Sequence, residues 1–207
     1  MYRDCKGHTT KCLICQKNKV SKIHYGKLPA KVAESTPWEI LAVDLVGPYT
    51  VTFSDSTEGT LNAMTMIDPA TGWLEVHEIK NKTSDNISRI LYQNWLTRYP
   101  RPKKIIFDNG NEFKSSFLQL CKEYGIHPSI TTAYNPQGNS VIERVHQVLG
   151  NMLRASNIET IELYIDDRWS SILSSIAWAV RTTYHTTLGA SPAQLVYVGI
   201  WYIHYSI

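Results

Sequence analysis

Ile105-Ile-Phe-Asp-Asn-Gly-Asn-Glu-Phe113 decides how the chain folds. The run from Lys104 to Phe107 is short, apolar and rich in β-branched and aromatic residues, a strand that ends on a carboxylate, Asp108. Beyond it, Phe113, Phe117, Leu120, Cys121 and Tyr124 recur at helical spacing, and Gly125 supplies the stop. Working upstream, Trp38 to Val46 reads as a strand closed by Gly47-Pro48, and Leu61 to Ile67 as a second. Asp68-Pro-Ala-Thr-Gly72 has turn chemistry, so Trp73 to Ile79 should return as the third strand of a hairpin. Thr83 or Ser84 caps a helix carrying Ile87, Ile90, Leu91 and Trp95, which Pro100 and Pro102 end. Downstream, Ile126 to Thr132 is a last strand and Asn135-Pro-Gln-Gly-Asn139 a loop. A helix follows on Val141, Val145, Val148, Leu149, Met152 and Leu153, another on Trp169, Ile172, Leu173, Ile176 and Val180, and Ser191-Pro192 starts a short one over 193–197. Strands and helices in this order predict an α/β chain: a mixed sheet with helices on its faces.

Three acids stand out against that frame: Asp44 inside the first strand, Asp108 after the fourth, and Glu143 on the helix that begins near Val141. Glu143 faces away from its helix's apolar stripe and shares the outward side with His146, Gln147 and Gly150. Carboxylates drawn together from separate elements repel, and a divalent cation relieves the repulsion. Two such ions, about 3.5–4 Å apart, form a device for in-line phosphoryl transfer. A metal-dependent polynucleotidyl enzyme is the expectation. On spacing alone, an exposed acid on a solvated helix face is the readier account of Glu143, and it is the two aspartates that change the balance.

Bulk properties fit one domain with flanking segments: 207 residues, 43% hydrophobic and 19% charged. No stretch approaches the roughly 18 apolar residues that cross a bilayer, and Met1-Tyr-Arg-Asp-Cys-Lys6 lacks a signal-peptide core. A nuclear or cytoplasmic, non-secreted protein is expected. The net charge of +3 is unevenly distributed: residues 1–31 carry eight Lys or Arg and one acid, whereas the rest of the chain is mildly acidic. Such a basic arm favours phosphate backbones by counterion release, or is simply a solvated terminus. Cys12 and Cys15 have zinc-knuckle spacing but supply two of the four ligands of a closed site; Cys5 and His8 are the candidates to complete it. Cys121 sits on an apolar helix stripe and reads as core.

Pro37-Trp38-Glu39 ahead of Asp44, Phe107-Asp-Asn-Gly-Asn-Glu-Phe113, and Ala133-Tyr-Asn-Pro-Gln-Gly-Asn-Ser-Val-Ile-Glu-Arg-Val-His146 together resemble the integrase catalytic core of retroviruses and long-terminal-repeat retrotransposons, with the closest likeness to the Gypsy class of the latter. Tyr184-His-Thr-Thr-Leu-Gly-Ala-Ser-Pro-Ala-Gln-Leu-Val-Tyr197 is similar to the segment that closes that core, and Cys12-Leu-Ile-Cys-Gln-Lys-Asn-Lys19 to the end of the family's zinc domain. The resemblance implies an RNase H-like fold with a mixed five-stranded sheet, and a catalytic set of Asp44, Asp108 and Glu143. Asp44 and Asp108 would hold one Mg²⁺ or Mn²⁺, and Glu143 with Asp44 the second. Asn109 and Gly110 would form the turn that aims Asp108, while Asn109, Gln137, Asn139, His146 and Gln147 would approach DNA. Glu112 is not a ligand in this motif type. The activity implied is 3′-end processing and strand transfer on retroelement DNA, by a homo-oligomer, with this chain expected to be a fragment of a larger polyprotein.

The resemblance also sets out the expected domains: residues 1–31 as a truncated remnant of the zinc-binding domain, 32–197 as the catalytic core, and 198–207 as a degenerate apolar tail. Residues 109–142 separate Asp108 from Glu143, one residue fewer than the usual retroviral form. Two other functions compete with the enzyme: a catalytically idle, domesticated or degraded module that binds DNA or a protein partner, and a stand-alone RNase H-like nuclease. The Asn135-Pro-Gln-Gly138 loop argues against the nuclease.

Overall fold

Strand β1, Ile40–Thr52, lies at the centre of the sheet, and everything that positions the acids is built outward from it. In this computed structural model the described residues are 11–12, 36–52, 58–130, 150, 169–186 and 188–204. β2 (Glu58–Ile67) and β3 (Leu74–Glu78) follow, then helix α1 (Ser84–Leu91), β4 (Lys104–Phe107), α2 (Ser116–Glu123), β5 (His127–Ile130), α3 (Ser170–Thr182) and α4 (Pro192–His204). The five strands lie in the order β3-β2-β1-β4-β5. β1, β2 and β3 pair antiparallel, while β4 runs parallel to β1 and β5 parallel to β4. This is the mixed five-stranded sheet that the sequence predicts.

Strand alternation sorts the core into two layers. Leu41, Val43, Met64, Met66, Ile105 and Phe107 point to one face, where Ile87 and Leu91 of α1 and Phe117 and Cys121 of α2 cover them. Ala42, Val46, Leu61, Ala63, Ile67, Leu74 and Val76 point to the other, against Ile172, Leu173, Ile176 and Ala177 of α3. Trp95 and Phe117 are almost wholly buried. Side chains of this size stabilise the fold by roughly 1.5–3 kcal/mol each.

The β2–β3 turn closes as its residues require. The buried Asp68 carboxylate accepts from the Ala70 N–H at 3.1 Å and the Thr71 hydroxyl at 2.7 Å, and reaches across to the Trp38 N–H at 3.2 Å. Thr83 caps α1, its hydroxyl accepting from the Asn86 N–H at 3.4 Å. Ser84 ties α1 to α2 by accepting from the Phe117 N–H at 3.0 Å.

Several boundaries differ from expectation. Trp38 is not a strand residue: with φ at 68° it turns the chain into β1. β1 does not close at Gly47-Pro48 but passes through them to Thr52, because the register slips between Val46 and Tyr49 and pairing with β2 resumes beyond. The helix expected over 113–124 is divided, a 3₁₀ turn at Asn111–Phe113 giving way to α2 through Ser115, whose φ is 51°. α1 widens into a π-helical turn at Tyr92–Leu96. α4 continues past Tyr197 to His204. Among the described residues, no helix is long and apolar enough to cross a membrane.

Candidate active site

The parallel pairing of β1 with β4 is what brings two acids together. Ile40 lies beside Lys104, Leu41 beside Ile105 and Ala42 beside Ile106. Carried on by two residues, just past the end of β4, that register brings Asp108 alongside Asp44, near enough for its charge to act on the Asp44 carboxyl. By alternation Asp44 shares a face with Ala42 and Val46, the side covered by α3. Its partner in β2 is Thr65, whose hydroxyl donates to the Asp44 carbonyl at 3.1 Å. The Asp44 side chain is half-buried, and the Leu45 N–H donates to its Oδ1 at 2.8 Å.

Asp108 sits where β4 has just ended and is exposed. The Gly110 N–H donates to its Oδ1 at 3.2 Å, so the Asp108-Asn-Gly turn is held by the carboxylate it presents. Asn109 is exposed in that turn. Gly110 matters for space: a Cβ there would meet the Glu112 carboxyl at 2.7 Å. Glu112 thus folds back over the turn, half-buried, beside the pair.

Electrostatics couple the two aspartates. The Asp44 pKa is raised from 3.8 to about 6, chiefly by burial and in smaller part by the negative charge of Asp108, against the lowering pull of the Leu45 N–H. A half-buried carboxylate held next to a second acid is a site whose charge a cation would balance. Among the described residues no group of three or more His, Cys, Asp or Glu forms a metal cluster. Glu143, Gln137, Asn139, His146, Gln147 and Cys15 all lie outside the described residues. Of the zinc pair only Cys12 is described, half-buried and in no disulfide. Cys121 is core, as expected, and burial pushes its thiol up to about 11, which leaves it protonated and unreactive.

A second polar centre, with no motif to announce it, occupies the sheet edge. Glu75 on β3 is buried and pairs with Arg181 of α3, Nη2 to Oε1 at 2.7 Å; Tyr99 donates a short hydrogen bond to the same carboxylate. His77 Nε2 lies 3.4 Å from the other oxygen. Burial alone would raise the Glu75 pKa, but the His77 and Tyr99 hydrogen bonds and the Arg181 charge outweigh it and hold the carboxyl below its ordinary value. Arg181 also donates through Nε to the Leu74 carbonyl at 2.7 Å and covers the Trp73 ring at 4.5 Å. β3 is two strands from β1, so this centre fastens α3 to the sheet and stands apart from the aspartate pair. Charges so far apart in sequence give no local pattern that could have disclosed it.

Comparison with known proteins agrees with this geometry. Residues 40–136 match the family described as "Integrase core domain". The chain is 25% identical over 200 residues to the Pro-Pol polyprotein of feline foamy virus, covering 95% of this chain and 16% of that protein. It is 28% identical over 158 residues to the retrovirus-related Pol polyprotein from transposon 412 of Drosophila melanogaster, covering 76% of this chain and 12% of that protein. The chain therefore spans less than a fifth of the curated relatives it matches. Among solved structures it is similar to the simian T-cell lymphotropic virus intasome (TM-score 0.66, 19% identity, 95% of this chain and 67% of that chain). It is also similar to the HTLV-2 integrase catalytic core domain in complex with magnesium, a trimeric form (TM-score 0.58, 20% identity, 76% of this chain and 95% of that chain). The segment that carries both Asp44 and Asp108 thus matches the integrase core domain, and the fold around it is the RNase H-like fold of integrase catalytic cores.

Proposed function

We propose that this chain is the catalytic core of a retroelement integrase, of the Gypsy class of long-terminal-repeat elements, carried in a longer Pol-type polyprotein. Its reaction is metal-dependent polynucleotidyl transfer: removal of nucleotides from the 3′ ends of the element's DNA, then joining of those ends to target DNA. The observation that carries the reading is the β1–β4 register, in which Ala42 lies beside Ile106, two residues short of Asp44 and Asp108; burial, with the Asp108 charge added, raises the Asp44 pKa to about 6. The match to Pol polyproteins of a retrovirus and a transposon supports the source.

The residues present fit a divalent cation. Asp44 and Asp108 are hard oxygen donors from adjacent strands, and their mutual repulsion favours a positive charge between them. In this reading they hold the first Mg²⁺ or Mn²⁺, and Glu143 joins Asp44 at the second. The ions, when bound, lower the pKa of the attacking water or sugar hydroxyl and neutralise the leaving 3′ oxygen. The chain itself orients both carboxylates: Asp44 rises from a paired strand and accepts from the Leu45 N–H, while Asp108 accepts from the Gly110 N–H. Asn109, Gln137, Asn139, His146 and Gln147 contact the DNA. Zinc at Cys12 and Cys15 would need further ligands and has no part in this chemistry.

The partners are retroelement ends and target DNA, together with further copies of the chain; the similar structures include an intasome and a trimeric form. The site of action is the nucleus or cytoplasm, with no membrane component. A disintegration assay, the reversal of strand transfer on a branched oligonucleotide, tests the reading. Wild type should rejoin the strand in Mn²⁺, and Asp108→Asn should lose at least a hundredfold with unchanged circular dichroism. Equal rejoining by the variant would reject the assigned site. A wild type that binds the substrate and never rejoins it would instead favour an idle, DNA-binding module.

A further inference from the structure

Arg98-Tyr-Pro-Arg-Pro-Lys-Lys104 places four cations in seven residues, with no acid between Arg98 and Phe107. Outside the basic arm the chain is mildly acidic, so this run stands against its surroundings. Three features make it a surface and not a mere sequence. Arg98, Arg101 and Lys103 are exposed. The loop has a rigid base: Tyr99 stacks on Trp38 at 5.4 Å and meets Trp95 at 4.9 Å, Pro102 is buried, and the two prolines fix φ. The Lys103 and Lys104 N–H groups both donate to the Glu39 carbonyl, at 2.9 and 3.1 Å.

The neighbouring elements add to the charge. Arg101 donates to the Tyr124 carbonyl at 3.2 Å and lies over the Tyr124 ring at 5.4 Å, which brings the end of α2, with exposed Lys122, against the loop. His127, exposed at the start of β5, donates its N–H to the Lys103 carbonyl at 2.9 Å. The facing acids are Glu39, which pairs with Lys103 at the surface, and Glu123, which accepts from Gln119 at 3.0 Å.

We infer that this platform, formed by Arg98, Arg101, Lys103 and Lys104 with Lys122, binds the phosphate backbone of duplex DNA away from the phosphodiester being cut. Guanidinium forks, of which that of Arg101 is anchored on Tyr124, and lysine point charges are the chemistry that takes phosphate oxygens without reading bases. The position suits a flank of the same duplex. β4 has four residues, so Lys104 and Asp108 are about 13 Å apart along the strand direction. Duplex DNA carries a charge about every 1.7 Å of its axis, so that distance spans roughly eight phosphates. The platform is a positioning surface; it touches no reacting atom. This inference rests on the DNA-processing reading above.

The test is the salt dependence of binding, by fluorescence anisotropy, of the full chain to a labelled duplex of arbitrary sequence in EDTA. Replacing Arg98, Arg101, Lys103 and Lys104 by Gln should flatten the slope of log K against log salt by roughly 2–4, about 0.9 for each phosphate released. Replacing Lys80, Lys82, Arg89 and Lys114, equal in number but set elsewhere, should flatten it by less than about 1. Should the fourfold variant misfold, the pair Arg98→Gln with Lys104→Gln, which keeps the Arg101 contacts, should still flatten it by about 1–2. Glu39→Gln, which frees Lys103, should tighten binding roughly twofold. A slope that moves no more than in the control set, or a Glu39→Gln affinity that stays put or falls, overturns the platform. A wild type that binds no duplex at all refutes the DNA reading itself, a different result from binding whose slope the platform does not move.

Discussion

Replacing Asp44 by Asn should stabilise the metal-free fold while abolishing activity. The Asp44 pKa rises from 3.8 to about 6 on folding, first through burial and then through Asp108. Between those values the native state binds more protons than the unfolded chain, so stability falls as pH rises through the window, and the penalty is complete above about pH 6. A shift of about two units corresponds to roughly 3 kcal/mol at most. Because the side chain is half-buried and partly screened by water, the realised cost is about 1–2 kcal/mol. Asn retains an Oδ1 acceptor for the Leu45 N–H and sheds only the charge. Urea denaturation in EDTA at about pH 7.5 should show the variant more stable by that amount, and the gap should close towards about pH 4. Adding Mg²⁺ or Mn²⁺ should stabilise wild type and leave the variant unmoved. A variant less stable than wild type at about pH 7.5, or a difference that ignores pH, would refute the picture of a charge held at a cost for the sake of a cation.

Two further perturbations probe the scaffold. Arg181→Met leaves the buried Glu75 carboxylate without its cation and should cost about 2–4 kcal/mol in chemical denaturation near neutral pH, less in acid where Glu75 is protonated. Gly47→Ala places a methyl group 2.4 Å from the Leu61 carbonyl oxygen at a φ of 103° and should lower the melting temperature by several degrees, a loss of about 2 kcal/mol or more.

What could be read in advance was what is local. The Asp68-to-Gly72 turn, the Thr83 cap and the apolar run leading to Asp108 each carry their signal within a few residues, and each stands where the sequence puts it. Asp44 was legible as an acid interrupting a strand, but its nearness to Asp108 depends on a parallel register that no single segment encodes. Gly47-Pro48 misled for a physical reason: the dipeptide usually ends a strand, and here a register slip lets β1 absorb it. Ser115 breaks the helix expected over 113–124 by taking a positive φ, which its residue type gives no warning of. The clasp between Glu75 and Arg181 joins partners from distant parts of the chain and only folding reveals it.

That clasp has a bearing on what the sheet can do when it meets another chain. β3 is the outermost strand on its side, and an unguarded border of that kind invites recruitment of a foreign strand and growth into aggregates. By seating one guanidinium on the Leu74 carbonyl and burying a charge pair alongside, the chain bars sheet extension at that point. A second sheet brought up to that border would meet a guanidinium and its buried carboxylate where it would need an open carbonyl.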